Sequence, residues 1–489
     1  MIIKILIFNL FYMIVACYGY SQNKFSDTLN NFNKEIVKFI SDSELQNSSI
    51  SFYAIDLKTN QIIGEINPDL LLSPASTMKL FTTTTALETF GPEYTFSTKI
   101  GFNGFIKNSV LYGNIIIKGE GDPCLMSNNF KSNYLNVFKN IVEECKKIGI
   151  NKVQGKIIGD ASFYTDNFAP STWILADVAN YYGASPWALS IFDNEYKLFF
   201  NTGEKAGDST FITKKEPEIS LINLNNIVKS DNVSGDQSII YGGLFDNYRV
   251  ATGKLPLHKS DFEVKGSIPN PPIYAALLLK QELNKNGIIV TDSVQSIYEY
   301  SINTDSLQTP NFFYTIKSPL LKDIIYYTNI KSVNLYAEHL LRQLGIKFFN
   351  NGSNEYGINA VTKYWQNKCG KFLMFDGSGL SRFNAVSSKQ LVEVLKYMKN
   401  ESKNFSYFYN SLPIASRSGS LTTMFKGTFA ENNLHAKSGY MTGVRSYAGY
   451  IKSKSSKEIA FAIILNNYIS SPSVIKGKIE ELLVKLSEI

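Results

Sequence analysis

Histidine is scarce in this chain of 489 residues: only His258, His339 and His435 occur. None falls in an HExxH pattern, which leaves little basis for a histidine-held metal site. A hydrolytic mechanism would have to draw its base from another kind of side chain. Cysteine is almost as rare. Cys17, Cys124, Cys145 and Cys369 form no CxxC and no Cys/His cluster, so neither a disulfide framework nor a zinc module is implied. The apolar run at the N-terminus, Ile5–Cys17, falls short of the roughly 20 residues that span a bilayer. Charge of one sign is also lacking in strength. With 49 Lys+Arg against 42 Asp+Glu the net charge is +7, too mild for the basic stripe of a nucleic-acid binder but suited to an anionic surface or polymer. There is no internal repeat and no low-complexity tract.

What is present is the material for a large core. The chain is 44% hydrophobic and 13% aromatic, and its length suits two or three domains. Its first residues read as a secretory signal peptide: Lys4, the apolar run, then small residues around Gly19-Tyr20-Ser21 with cleavage before Gln22. Removal of residues 1–21 implies an exported protein of the periplasm or cell envelope. The alternative is Ile14-Val15-Ala16-Cys17, which resembles a bacterial lipoprotein box. Lipidation of Cys17 would leave the chain peripherally attached to a membrane.

Apolar residues Phe25, Leu29, Phe32, Ile36 and Phe39 lie on one face of a predicted helix over 25–40. Ile50–Leu57 and Gln61–Ile66, joined by Lys58-Thr59-Asn60, read as a hairpin, and Pro74 introduces a helix from Ser76 to Glu88. At the other end, Val444–Lys452 and Glu458–Asn466 read as strands joined by a turn over Ser453–Lys457. A final helix aligns Ile475, Ile479, Leu482, Leu483 and Leu486. The two termini are thus expected to build one α/β domain. Between them, residues 96–269 are β-rich and punctuated by Asn, Gly and Asp, and a helical pattern resumes at Ile273–Asn286. The expected organisation is a signal peptide over 1–21, a first half-domain over 22–95, an insertion over 96–269 that can itself divide in two, and a second half-domain over 270–489.

Three short motifs carry chemistry. Ser76-Thr77-Met78-Lys79 puts a hydroxyl and an amine three residues apart at a helix start, where they reach each other and the helix dipole favours negative charge on the serine oxygen. A lysine poor in water contacts can lose its proton near neutral pH and activate such a serine. Ser473-Val474-Ile475-Lys476 has the same spacing at the start of the last helix. Lys437-Ser438-Gly439 sets a cation and a hydroxyl on an edge strand, with a glycine that lets a ligand approach the backbone. Arg417-Ser418-Gly419 is similar and lies upstream. Between the two motifs, the Ser-x-Asn tripeptides at Ser127, Ser230 and Ser332 are candidates for a third element. The second, Ser230-Asp231-Asn232, reads as a polar turn. The third is favoured because Ser332-Val333-Asn334 opens a helix, which can hold both side chains rigidly against Ser76 and Lys79.

In this order the three motifs resemble those of penicillin-binding proteins and serine β-lactamases. Gly121-Asp122-Pro123, Tyr181-Tyr182-Gly183-Ala184, Asp376-Gly377-Ser378-Gly379-Leu380-Ser381-Arg382 and Gly439-Tyr440-Met441-Thr442-Gly443-Val444 narrow the resemblance. They are similar to the class C, low-molecular-mass D-alanyl-D-alanine carboxypeptidase/endopeptidases, from about residue 30 to the C-terminus. Ser438 stands where that family usually has threonine, and Asp193-Asn194-Glu195 fits its segment loosely. The resemblance implies an α/β fold: a penicillin-binding, serine β-lactamase-like domain with an antiparallel sheet flanked by helices, interrupted by a large β-rich insertion.

It also implies acyl transfer. Ser76 attacks the carbonyl of the penultimate D-Ala of a peptidoglycan stem peptide or cross-link, with Lys79 as base. Ser332 relays a proton towards the leaving amine beside Lys437, Asn334 holds the substrate peptide, and Lys437 with Ser438 holds a carboxylate. Gly439, Tyr440 and Thr442 line the substrate strand, and the backbone N–H groups of Ser76 and Tyr440 form the oxyanion hole. A β-lactam would mimic the substrate and remain esterified to Ser76. Asp376 and Ser378 are read as a tight turn supporting the site. No cofactor is called for. Two other classes compete: a serine β-lactamase, against which the Glu-x-x-Leu-Asn element is missing after Glu218, and an inactive cell-wall binding protein, against which all three motifs are intact.

Overall fold

The computed structural model describes residues 31–166, 168–218, 220–298 and 309–489. The expected signal peptide, the lipidation alternative at Cys17, and the first turns of the predicted 25–40 helix lie outside the described residues. The part of that helix within them runs over 31–40.

A five-stranded antiparallel sheet is made from both ends of the chain. Strands β1 (Ser49–Asp56) and β2 (Ile62–Ile66) form the expected N-terminal hairpin. Strands β3 (His435–Met441), β4 (Val444–Lys452) and β5 (Glu458–Asn466) come from the C-terminal end. The order across the sheet is β3-β4-β5-β1-β2, and Phe52 opposite Ile463 sets the register that joins the two ends. Strands β1 and β5 are buried along almost their whole length, because both sheet faces are covered. Alternation divides their side chains. Phe52, Phe461, Ile463 and Leu465 join Phe32, Ile36, Ile475, Ile479 and Leu483 in one core, beneath the 31–40 and C-terminal helices. Tyr53, Ile55, Ala462 and Ile464 face a second core that also holds Leu80 and Phe81. Gly64 lets the first core close: a Cβ there would stand 2.6 Å from Ile36 Cδ1.

Two helices over the second face begin at or just after residues singled out above, one beside Ser76 and Lys79 and one beside Ser332 and Asn334. Helix α1 (Lys79–Phe90) follows a 3-10 turn, Ala75–Met78. Helix α2 (Leu321–Ile330) precedes α3 (Asn334–Phe349), and α4 (Asn354–Cys369) packs on α3. Helix α1 contains Thr82–Thr85, four polar residues with no exposure. Their hydroxyls are all satisfied. Thr83 and Thr85 donate to the carbonyls of Lys79 and Phe81, each at 2.7 Å, and Thr84 donates to Leu80. Thr82 donates across to the carbonyl of Gly377 at 2.7 Å, tying α1 to the Asp376–Arg382 loop.

The middle of the chain is rich in strands, which among the described residues form four further sheets. Strands after residue 270 join two of them. Ile289–Val290 pairs with Lys152–Gln154, Val294–Ser296 with Ile157–Asp160, and Asn311–Lys317 with Ser97–Phe102. Ser230, expected in a turn, lies in a short strand, Lys229–Asp231, where its Oγ accepts the Gly203 N–H at 2.8 Å. Pairing with the neighbouring strand overrides its turn-like composition. Among the described residues no helix is long and apolar enough to cross a membrane.

Candidate active site

Ser76 lies in the 3-10 turn that enters α1, partly exposed, while Lys79 is fully buried at the first position of the helix. The spacing brings them together as expected: Lys79 Nζ is 3.0 Å from Ser76 Oγ. Two further acceptors hold the amine, Asn334 Oδ1 and the Ser378 carbonyl, each at 2.6 Å. Burial lowers the pKa of Lys79 to about 7, against the charges of Asp376 and Glu338, which raise it. A neutral amine so placed gives its two hydrogens to the shorter contacts and turns its lone pair to the serine hydroxyl.

The turn before Ser76 is held from two sides. Ala75 has φ 46°, a left-handed conformation that costs an L-residue about 1–2 kcal/mol. Gly379, itself at φ 83°, packs so closely on Ala75 that a Cβ would fall on the Ala75 carbonyl oxygen. On the sheet side, a Cβ on Gly439 would stand 2.5 Å from the Pro74 carbonyl oxygen. Ser446 Oγ donates to that same oxygen at 2.5 Å, and Thr77 Oγ1 donates to it at 2.8 Å. The glycine of Lys-Ser-Gly therefore brings strand β3 against the turn that carries Ser76.

Ser332 lies two residues before α3, at φ 58°, and Asn334 is the first residue of that helix. Asn334 bridges two elements, accepting from Lys79 and donating through Nδ2 to the Tyr182 carbonyl at 2.8 Å. Lys437, on β3 and 1% exposed, reaches Ser332 Oγ at 3.0 Å and the Ser438 carbonyl at 2.8 Å. Burial, and then the charge of Lys79, push the Lys437 ammonium well below the usual lysine range. Ser438 Oγ donates to Ser420 Oγ at 2.6 Å. Tyr440 is exposed with the Arg445 guanidinium 4.3 Å above its ring, and Thr442 lies exposed in the turn between β3 and β4. Ser76, Lys79, Ser332, Asn334, Lys437, Ser438 and Gly439 are thus gathered into one cluster, with Tyr440 and Thr442 further along the same strand and its turn.

The other motif candidates stand elsewhere. Ser473 pairs with Ser471 at the exposed start of the last helix, and Lys476 donates to Thr423. Ser127 bonds Asp193 and Tyr336 inside the protein. Ser418 Oγ accepts the Ile414 N–H and shapes a turn.

Two contributors, Glu338 and Ser420, escape a motif reading, while Asp376 belongs to the turn read as supporting the site. Glu338, one turn along α3 from Asn334, is fully buried, accepts the Ser378 N–H at 2.7 Å and faces Arg342 at 3.6 Å. Burial, opposed by Arg342, raises its carboxyl to about 7. The four-residue spacing on one helix face was the available signal. Asp376 accepts from the N–H groups of Gly379 and Ser381, from Asn384 Nδ2 and from Trp173 Nε1. It fixes the loop whose Ser378 carbonyl holds Lys79. Ser420 carries no motif of its own.

A serine in contact with a buried lysine, on a five-stranded antiparallel sheet covered by helices, matches a class: the serine hydrolases of the penicillin-binding, β-lactamase-like fold. The model of the D-Ala-D-Ala carboxypeptidase 3 (S13) family matches residues 32–487, and the chain belongs to that family. It is 26% identical over 436 residues to the D-alanyl-D-alanine carboxypeptidase DacB of Haemophilus influenzae, covering 86% of each chain. The crystal structure of penicillin binding protein 4 (dacB) from that organism superposes with a TM-score of 0.78 at 24% identity, over 93% of this chain and 99% of that one. The structure of the same protein complexed with a β-lactam superposes with a TM-score of 0.72, at the same identity and coverage.

Proposed function

We propose that this chain hydrolyses D-Ala-D-Ala-terminated peptidoglycan peptides, or the cross-links made from them, through an ester on Ser76. The observation that carries the reading is Lys79, buried and held by Asn334 and the Ser378 carbonyl with its amine 3.0 Å from Ser76 Oγ. Neutral Lys79 takes the proton as Ser76 attacks the carbonyl of the penultimate D-Ala. The Ser332 hydroxyl gives its proton to the departing amine and takes another from the Lys437 ammonium, 3.0 Å away. Water then cleaves the ester by the reverse route.

The oxyanion is taken by the N–H groups of Ser76 and Tyr440. The strand direction supports the second: the Ala436 N–H points off the free edge of β3, to the Pro413 carbonyl, and strand alternation turns the Tyr440 N–H the same way. Lys437 receives the carboxylate, beside Ser438 on the same strand. A β-lactam, which carries both the reactive amide and that carboxylate, acylates Ser76 and blocks it. The H. influenzae protein is known as a β-lactam complex, which supports that part of the reading. The export signal read over residues 1–21 supports work in the cell envelope, and the mild positive charge suits an anionic wall polymer.

The test uses the chain from Gln22 onward. The wild type should label with a fluorescent penicillin and Ser76→Ala should not. D-Ala release from a pentapeptide, compared with cleavage of a cross-linked dimer, divides carboxypeptidase from endopeptidase action. Labelling of Ser76→Ala at the wild-type rate would defeat the assignment.

A further inference from the structure

The hydroxyl of Ser438 is already engaged. It donates to Ser420 Oγ at 2.6 Å, so its own hydrogen is committed and its oxygen has only lone pairs left to offer. Ser420, exposed, has no other hydrogen-bond partner among the described residues, and its hydrogen is free. An anion arriving at this pair meets a donor at Ser420 and an acceptor at Ser438.

The position of Ser420 is built by the chain. Pro413–Ala415 runs along the start of β3 as a short added strand: Ala436 N donates to the Pro413 carbonyl and Ala415 N to the Leu434 carbonyl, each at 2.9 Å. The backbone then breaks away at Ser416, φ 62°, and turns back at Gly419, φ 57°. A Cβ on Gly419 would stand 2.6 Å from the Ile330 carbonyl oxygen, at the end of α2 and two residues before Ser332. Ser420 is therefore fixed at the point where the edge of β3 becomes free, between the strand of Lys437 and the segment of Ser332. A peptide laid along that free edge would pass Ser420, and exposed Arg417 in the same turn adds positive charge.

Resting on the hydrolase reading above, we infer that Ser420 is a further substrate-binding residue, whose hydroxyl donates to the terminal carboxylate of the peptide while Ser438 orients it. Together they select substrates that end in a free carboxylate.

The experiment compares an N-acylated peptide ending in D-Ala-D-Ala with the same peptide amidated at its C-terminus, and a penicillin with its methyl ester. Ser420→Ala should lower kcat/KM on the free acid, and acylation by the penicillin, about 10- to 100-fold, the loss expected for a hydrogen bond to a charged group. Turnover of the amide and acylation by the ester should change by less than about threefold, since neither presents the anion. Ser420→Thr should restore most of the loss. Ser438→Ala combined with Ser420→Ala should cost much less than the product of the two, because they act as a unit. Equal losses on acid and amide, or no loss on the acid, would overturn the assignment of Ser420 while leaving the hydrolase reading standing. A wild type that neither turns over peptide nor takes up penicillin would overturn both.

Discussion

Lys79 Nζ stands 3.0 Å from Ser76 Oγ, and its two shorter contacts, at 2.6 Å, go to Asn334 Oδ1 and the Ser378 carbonyl. Burial brings the Lys79 pKa down to about 7. The sign for catalysis follows directly. A base must be neutral, so activity is lost as the pH falls through the pKa and the amine takes up a proton. The rate constant for penicillin acylation should rise about tenfold per pH unit on the acid side and level off near pH 7. Lys79→Gln should lower it by about 10²- to 10⁴-fold. A profile that stays flat from pH 5 to 9 would remove Lys79 from the role of base.

Glu338 should set where that acid limb lies. It raises the Lys79 pKa by its charge, as does Asp376, while the Lys437 ammonium faces the same amine. Glu338→Gln keeps an oxygen to accept the Ser378 N–H but removes the charge. Lys79 should then become easier to deprotonate, and the acid limb should move to lower pH. Glu338→Ala also abandons the Ser378 N–H inside the protein, and should lower the plateau as well as move the limb. An acid limb that stays in place in Glu338→Gln, or moves to higher pH, would show that this carboxylate is electrostatically silent at Lys79.

The meeting of Ser76 with Lys79 is legible in sequence because it is local, three residues within one turn. The sheet from both chain ends is legible because strands such as β1 and β5 are rich in apolar residues and bounded by turn residues. Glu338 is harder. A charged residue on a helix normally marks a solvated face, and only packing of the Gly377–Gly379 loop over α3 shows that this one is buried. Ser420 is harder still. It sits in a segment that reads as an ordinary turn, and its contact with Ser438 joins residues 18 apart through a left-handed glycine. The Ser230 tripeptide repeats the Ser-x-Asn pattern, but its hydroxyl is spent on a backbone bond, accepting the Gly203 N–H.

Gly379 offers a test of close approach rather than of backbone strain. Gly379→Ala suffers both, since φ is 83° and the new Cβ meets the Ala75 carbonyl. Gly207→Ala suffers the strain alone, with φ 93° and nothing within 4 Å. The second should lose about 1 kcal/mol of stability and keep full acylation. The first should lose about 2 kcal/mol more and acylate poorly, because the turn beneath Ser76 has to shift. Equal effects of the two substitutions on acylation would mean that the contact with Ala75 does not position the serine.

Asp376 and Trp173 separate support of the loop from its charge. Trp173 Nε1 donates to Asp376 Oδ2 at 2.7 Å, and the same oxygen accepts the Ser381 N–H. The other carboxylate oxygen serves the Gly379 N–H and Asn384 Nδ2, each at 2.8 Å. Trp173→Phe removes one donor from a buried carboxylate and leaves its charge. Stability should fall by about 1–3 kcal/mol, acylation should slow, and the acid limb should stay where it is. Asp376→Asn turns an NH₂ group towards one of these pairs of donors and also removes a charge that holds the Lys79 pKa up. It should destabilise more, and in whatever fraction remains folded the acid limb should move to lower pH. Thermal unfolding read beside the pH profile of acylation distinguishes the two. If Trp173→Phe shifts the limb as far as Asp376→Asn does, loop position rather than charge governs the protonation of Lys79.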